Sequence, residues 1–390
     1  MNHPNQPFTL YRHLMCSKKK DHYDKNKLHT FSKANKPLVA CYALKPCTPS
    51  ELIITSEQSM WRYRPVLPVE HPENIVSLGE GMTPLISLDS LARQEGINHL
   101  WLKDESYNPT GSFKARGLAM AISKAKELGV QRCVIPTAGN AGGAMSAYCA
   151  KAGLEALVYM PVQTPKTFSK ECEFFGAKVT LVEGNIKDCA AQIKADQLSD
   201  CFDVSTLKEP FRLEGKKTMG YEIAEQLDWQ TPDVVVYPTG GGTGLIGIWK
   251  AYEEMRQMGW VGSKMPRMVA VQTTACYPIV EAFHQQASVA TPFVNPAITM
   301  ANGLRVPSAF GDEMILDILY QSNGQALKVS EEDMLEGTKE LAQKEGILVA
   351  PEGAAVWMAC KRLVNNQWIK AHEKVVLLNT GSIYKYMENF

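Results

Sequence analysis

Asn108-Pro109-Thr110-Gly111-Ser112-Phe113-Lys114-Ala115-Arg116-Gly117 is the stretch on which the reading of this chain turns. Asn-Pro and Thr-Gly are turn chemistry. Ala115 opens an apolar run at helical spacing that continues through Leu118-Ala119-Met120-Ala121-Ile122. The run therefore delivers one lysine, Lys114, to the first turn of a helix. The helix dipole disfavours a cation there, so an amine at that position is easier to deprotonate and better suited to act as a nucleophile. An ordinary surface lysine is the alternative that the local sequence leaves open.

From about residue 76 the chain alternates strand and helix. Strands are expected at 133–136, 156–160, 179–182, 233–237, 268–272 and 375–378, with helices at 142–152, 168–175, 188–197 and 245–255 between them. Alternation with short glycine-rich joints predicts an α/β fold with doubly wound, mostly parallel sheets. Residues 1–75 lack strong periodicity and read as an N-terminal extension. The compact block 121–215 reads as a small mobile α/β domain, and 76–120 with 216–390 as a larger domain.

Composition narrows the function classes. Lys+Arg and Asp+Glu are both 41, so no electrostatic footprint points to nucleic acid. Lys18, Lys19 and Lys20, with Lys25 and Lys27, are interspersed with Asp21 and Asp24 and read as a solvated face. No apolar run reaches membrane-spanning length, and the N-terminus has no secretory pattern. The ten cysteines include no C-x-x-C pair. Cys133, Cys149, Cys172, Cys189 and Cys360 sit in apolar-patterned elements as small hydrophobes. This is the usage of a reducing compartment, and the expected location is cytoplasmic. No appended regulatory domain is expected.

A second motif follows the strand ending at Tyr237-Pro238: Thr239-Gly240-Gly241-Gly242-Thr243-Gly244, then a helix. Consecutive glycines let backbone N–H groups converge, and a helix N-terminus adds positive potential, which together suit a phosphate dianion. Gly242-Thr243-Gly244-Leu245-Ile246-Gly247 is also a literal G-x-G-x-x-G. A dinucleotide site, however, needs an acidic residue at the end of the next strand, where Gln272 stands. A nucleotide-triphosphate loop would end Gly-Lys-Ser/Thr, and Leu245 excludes it. A plain structural turn stays open. Thr137-Ala138-Gly139-Asn140 joins a strand to a helix, where Asn140 could serve as a cap. Asn379-Thr380-Gly381-Ser382 closes the last strand.

Together these motifs resemble the lysine, asparagine, glycine and threonine loops of the fold-type II pyridoxal-phosphate enzymes, the tryptophan synthase β-like family, and most closely its threonine synthases. Gly79-Glu80-Gly81-Met82-Thr83-Pro84-Leu85, Pro210 to Thr218, Gly303 to Pro307 and Pro351 to Ala355 also have counterparts, in the same order, from residue 76 onward. Ordered co-occurrence is more specific than any single motif. The resemblance implies pyridoxal 5′-phosphate carried on Lys114, which is then also the catalytic base and acid. It implies a phosphate cradle at Gly240, Gly241, Gly242, Thr243 and Gly244, Asn140 on the ring oxygen, and Thr380 facing the ring nitrogen. A neutral threonine there makes the ring a weaker electron sink than a carboxylate would.

The resemblance further implies O-phosphohomoserine as a small-molecule substrate. Its phosphate would meet Ser205, Thr206, Lys208 and Arg212, with Thr137 also at the substrate; arginine suits a phosphate through paired bonding. For Arg212 a surface ion pair with Glu209 or Glu214 is the competing reading. Relatives of this family are often homodimers. The N-terminal segment is similar to the zinc-ribbon head of some members, but it lacks both partner cysteines. Among His13, Cys16, His22, His29, Cys41 and Cys47 no four-ligand set is complete, so no metal is expected.

Two departures keep alternatives in view. Lys-Ala-Arg-Gly is the form of the threonine/serine dehydratases, and Ala141 replaces the threonine that usually follows the ring asparagine. A threonine/serine ammonia-lyase, a β-replacement enzyme acting on O-phosphoserine and a non-catalytic cofactor-binding protein are the rival functions.

Overall fold

Strand β1 (Tyr11–Cys16) is flanked by β2 (His22–Tyr23) and β3 (Leu38–Tyr42), both antiparallel to it. The structure is a computed structural model that describes residues 8–387, so residues 1–7 of the expected extension lie outside it. Tyr11, Leu14 and Cys16 of β1 are buried, while the residues between them are partly or fully exposed. A single turn, α1 (Pro49–Leu52), follows, opened by a Thr48/Glu51 capping box.

The chain then alternates. β4 (Leu85–Ser87), α2 (Asp89–Glu95) and β5 (His99–Asp104) precede α3 (Lys114–Glu127). Next come β6 (Arg132–Pro136), α4 (Asn140–Ala152), β7 (Glu155–Pro161), α5 (Lys166–Phe174), β8 (Lys178–Val182), α6 (Ile186–Ala195) and β9 (Phe202–Asp203). A long helix, α7 (Phe211–Gln226), leads to β10 (Val234–Pro238), α8 (Thr243–Met258), β11 (Arg267–Thr273) and α9 (Pro278–His284). The chain closes with α10 (Asp312–Gln321), β12 (Gln325–Val329), α11 (Glu331–Glu345), α12 (Pro351–Asn365) and β13 (Lys374–Asn379). Each strand and helix read from the sequence corresponds to one of these elements. The additions are the N-terminal sheet, α1, α2, β4, β5, β9, β12 and most of the helices after residue 200.

Two compact units emerge. The first comprises residues up to Met82, Asn108–Thr110 and Lys114–Thr218. It holds the antiparallel sheet and a parallel four-stranded sheet in the order β8-β7-β6-β9. The second comprises Thr83–Tyr107, Gly111–Phe113 and the chain from Met219. Its six-stranded sheet runs β12-β11-β10-β13-β5-β4, parallel except for β4. The boundaries read from sequence, after 120 and after 215, fall inside α3 and α7. The central strands β10 and β13 are buried along nearly their whole length, as their unbroken Val/Leu runs require of strands covered on both faces. Among the described residues no helix is long and apolar enough to cross a membrane.

Candidate active-site residues

In the first unit Lys114 is the first residue of α3 and half-buried, as the turn before it predicts. That turn is pinned by Asn108, whose side-chain oxygen accepts from the Gly81 N–H at 3.1 Å. The Thr110 hydroxyl is buried without a partner. Arg116, two residues beyond the lysine, is fully buried and donates to the Thr218 hydroxyl at 2.9 Å. Its role is therefore to tie α3 to α7.

Two glycines set the α3–α7 crossing. A Cβ on Gly215 would collide with the Arg116 carbonyl oxygen, and one on Gly117 would lie 3.0 Å from the Arg212 carbonyl and 3.1 Å from the Lys216 Cε. At Gly215 the backbones are too close for any residue but glycine, while at Gly117 a Cβ would be a tight fit. The crossing draws Arg212 and Lys216, one turn apart on α7, toward the start of α3. Both are buried. Lys216 is held well below its ordinary pKa by burial first, then by the charges of Arg212 and Lys114. Sequence reasoning passed over Lys216; the small-residue pair Gly117/Gly215 was the signal that could have found it.

Among the expected substrate residues, Arg212 has the best-defined surroundings. It is buried, not a surface group, and only its Nη1 is satisfied within the protein, by the Val204 carbonyl at 2.6 Å. Its Nε and Nη2 have no partner. Glu209, expected as a rival ion-pair partner, uses its carboxylate to accept the backbone N–H groups of Phe211 and Arg212, capping α7. Burial pushes the Glu209 carboxyl up to about 7. The Ser205 hydroxyl donates to Asp203 at 2.5 Å, so its proton is committed within the turn. Thr206 and Lys208 are half-buried in that turn, and the Lys208 N–H donates to the Ser205 carbonyl at 3.1 Å. Leu207, between them, is left-handed at φ 59°.

Thr137 and Asn140 lie between β6 and α4, with Asn140 the first residue of the helix. The Thr137 hydroxyl accepts from the Gly139 N–H at 3.3 Å, and its methyl would lie 2.9 Å from a Cβ on Gly142. Ala141, beside Asn140, is buried and offers no hydroxyl.

In the second unit the glycine run and Thr380 leave the C-terminal ends of β10 and β13. These are neighbouring parallel strands, and such strand ends are where open α/β sheets bind ligands. Gly242 is left-handed at φ 74° and α8 begins at the next residue. A Cβ on Gly240 would strike the Gly303 carbonyl, and one on Gly244 the Tyr237 hydroxyl. The N–H groups of Gly240, Gly241 and Gly242 have no acceptor among the described residues. Gln272 donates to the Thr239 carbonyl at 3.1 Å and accepts the N–H groups of Ile279 and Val280. It is thus a brace for the loop, not the acidic ribose ligand that a dinucleotide would need. Glu352 accepts the Gly303 N–H at 2.9 Å, so the 303 and 352 motifs support the glycine run from behind.

Thr380 is buried, and its carbonyl accepts from the Phe113 N–H at 3.1 Å, while Ser382 N–H donates to the Gly111 carbonyl at 2.9 Å. Phe113 is the residue before Lys114 in the chain. At the N-terminal sheet the His13 and His22 rings stack at 4.0 Å, and no group of three or more His, Cys, Asp or Glu suited to a metal ion occurs among the described residues.

Residues 76–381 match the family model described as pyridoxal-phosphate dependent enzyme. The threonine synthase of Methanocaldococcus jannaschii is 36% identical over 340 residues, covering 87% of this chain and 83% of that protein. That of Methanosarcina acetivorans is 34% identical over 376 residues, covering 96% and 92%. Among solved structures, the diaminopropionate ammonia lyase of Escherichia coli superposes with a TM-score of 0.68 at 17% identity, over 81% of this chain and 88% of that one. At that identity the likeness speaks for the fold alone.

Proposed function

This chain belongs to the family of pyridoxal-phosphate-dependent enzymes, and we propose that it works as a threonine synthase, converting O-phosphohomoserine and water to threonine and phosphate. The glycine run fits the cofactor's phosphate: three N–H groups without protein acceptors precede a helix N-terminus, and Gly240 and Gly244 pack too closely on the Gly303 carbonyl and the Tyr237 hydroxyl to carry side chains. In the proposed assignment Gly240, Gly241, Gly242, Thr243 and Gly244 hold that phosphate. Asn140 meets the ring oxygen and Thr380 the ring nitrogen.

When bound, the cofactor withdraws electrons from the bonds at Cα of the substrate amino acid. Lys114 would hold the cofactor, and its amine is the group that would take the Cα proton and later return one. Phosphate leaves from Cγ, and water supplies the hydroxyl at Cβ. Arg212 receives the substrate's phosphate through Nε and Nη2, and Thr206, Lys208 and Thr137 complete the substrate's surroundings. Ser205 shapes the turn that carries them.

The observation that carries this reading is the Arg212 guanidinium, buried with two nitrogens unpaired. Such a group is expensive to keep without an anion to meet it, and a dehydratase acting on threonine has no second anion to offer. The methyl of Ala141 favours the second reading, a threonine/serine ammonia-lyase, because it removes a hydroxyl beside Asn140. We read residues 1–75 as a ribbon-like extension without metal. A cytoplasmic location accords with ten unbridged cysteines, and a homodimer is the proposed assembly, checked by light scattering.

The test is to incubate the enzyme separately with O-phosphohomoserine, threonine and O-phosphoserine, assaying phosphate, threonine and 2-oxo acid. Phosphate and threonine should appear in equal amounts from the first substrate. Production of 2-oxobutyrate from threonine, with no phosphate released from O-phosphohomoserine, would reject the proposal. Lys114→Ala should lose both turnover and the visible absorbance of the lysine-bound cofactor.

A further inference from the structure

The N-terminal sheet reaches the helix that carries Arg212. Tyr42, at the end of β3, is half-buried and donates its hydroxyl to Glu214 Oε2 at 2.7 Å. Lys217 donates to the same oxygen at 2.8 Å, and its Nζ stands 3.8 Å from the centroid of the Tyr42 ring. The side chains of Glu214 and Lys217 are fully buried. The Tyr42 ring therefore covers the ammonium from its face while its hydroxyl completes the carboxylate, an arrangement stronger in a desolvated setting than at a surface.

The contact falls at a consequential point of α7. Glu214 lies two residues from Arg212 and two from Lys216. The opposite side of these turns is pressed on α3 by Gly215 and Gly117. The first two turns of α7 are thus gripped between β3 and α3. Tyr11, paired with Tyr42 across the sheet at a ring separation of 5.9 Å, lies 5.2 Å from Lys124 of α3, so the same sheet touches both helices. The Arg212 side chain has one protein hydrogen bond, so the α7 backbone must supply most of its placement.

We propose that Tyr42 is a positioning residue for Arg212, acting through the Glu214–Lys217 pair, and that the N-terminal sheet is thereby part of the anion-binding machinery. The inference rests on the reading of Arg212 as the seat of the substrate's phosphate.

The experiment uses the full-length holoenzyme and inorganic phosphate as the probe, with affinity read by calorimetry. Tyr42→Phe keeps the ring over Lys217 and removes only the hydroxyl, so it should fold. Losing one hydrogen bond to a charged group should weaken phosphate binding by about threefold to tenfold. KM for O-phosphohomoserine should rise by a similar factor, with kcat and the visible cofactor band much less affected. In an Arg212→Lys background, which keeps the charge and loses the fork, the same change should shift affinity by less than about twofold, because the two residues act through one another. A wild-type enzyme that binds no inorganic phosphate would overturn the anion seat itself. Binding by wild type, with Tyr42→Phe equal to it or equally harmful in the Arg212→Lys background, would overturn the positioning role alone. A lowered melting temperature with unchanged phosphate affinity would do the same.

Discussion

Glu209 is the residue through which pH should speak to Arg212. Its carboxylate is buried, and burial is the largest influence on it, outweighing the Arg212 charge and the two backbone N–H groups that it accepts. Its pKa moves from 4.5 to about 7. The folded state therefore keeps a proton that the unfolded chain has released, so this residue's contribution to stability is present at low pH and lost as pH rises from about 4.5 to 7. The same titration sets the field at the guanidinium. Below about 7 the neutral carboxyl does not offset the Arg212 charge, and above it the carboxylate adds its charge to that of Asp203. Sulfate, a dianion across this range, should bind the holoenzyme more tightly at pH 6 than at pH 8. Glu209→Gln should flatten that dependence near the tight-binding limit. Sulfate titrations followed by calorimetry at both values check this, and an equally steep profile in the variant would remove Glu209 from the account.

At the scale of elements, the crossing of α3 and α7 decides whether Lys114, Arg212 and Lys216 stand together. Gly215→Ala gains about 1 kcal/mol of helix propensity but drives a methyl into the Arg116 carbonyl, a backbone atom that cannot yield without shifting α3. Overpacking of this kind costs about 3 kcal/mol or more, so the net loss should be at least about 2 kcal/mol. Gly117→Ala meets its neighbours at 3.0 and 3.1 Å, a strain small enough for the propensity gain to offset. It should stay within about 1 kcal/mol of wild type. Urea unfolding of the two holo variants compares them directly. These helices also show where sequence reading succeeded and where it stopped. α3 was legible because its apolar residues follow a turn and keep helical spacing. The opening of α7 was not, because Phe211-Arg212-Leu213-Glu214-Gly215-Lys216-Lys217 looks like a solvated, glycine-broken loop. In the fold all four charged side chains of that stretch are buried. Glu214 and Lys217 pair with each other, but Tyr42, which covers that pair, comes from a strand distant in sequence, and no local pattern announces that. The glycine run and Thr380 were legible for the opposite reason: they end apolar strands buried on both faces, and strand ends are well marked by glycine and threonine.

Across the whole molecule, stability should be spread unevenly, and the sequence block 121–215 that we propose as a mobile domain contains the weakest part. Strand β8 is an edge strand paired only with β7, and none of its five side chains is fully buried. Of α6 only Cys189 is buried, and of α5 only Phe168 and Cys172. Val134, Leu157, Tyr159 and Cys189 form a core cluster of four on this side of the four-stranded sheet. By contrast, β10 and β13 are central in the six-stranded sheet, and α12 is buried through most of its length. Backbone amides are protected in proportion to the buried apolar contacts that must break to expose them. Amide exchange of the holoenzyme, followed by mass spectrometry, should therefore proceed first in β8 and α6, then in β6 and β7, and last in β10 and β13. Those last two should approach the protection expected of global unfolding. Exchange in β8 and α6 as slow as in β10 and β13 would mean that the first unit opens only with the whole chain, and the proposed mobility of 121–215 would fall with it.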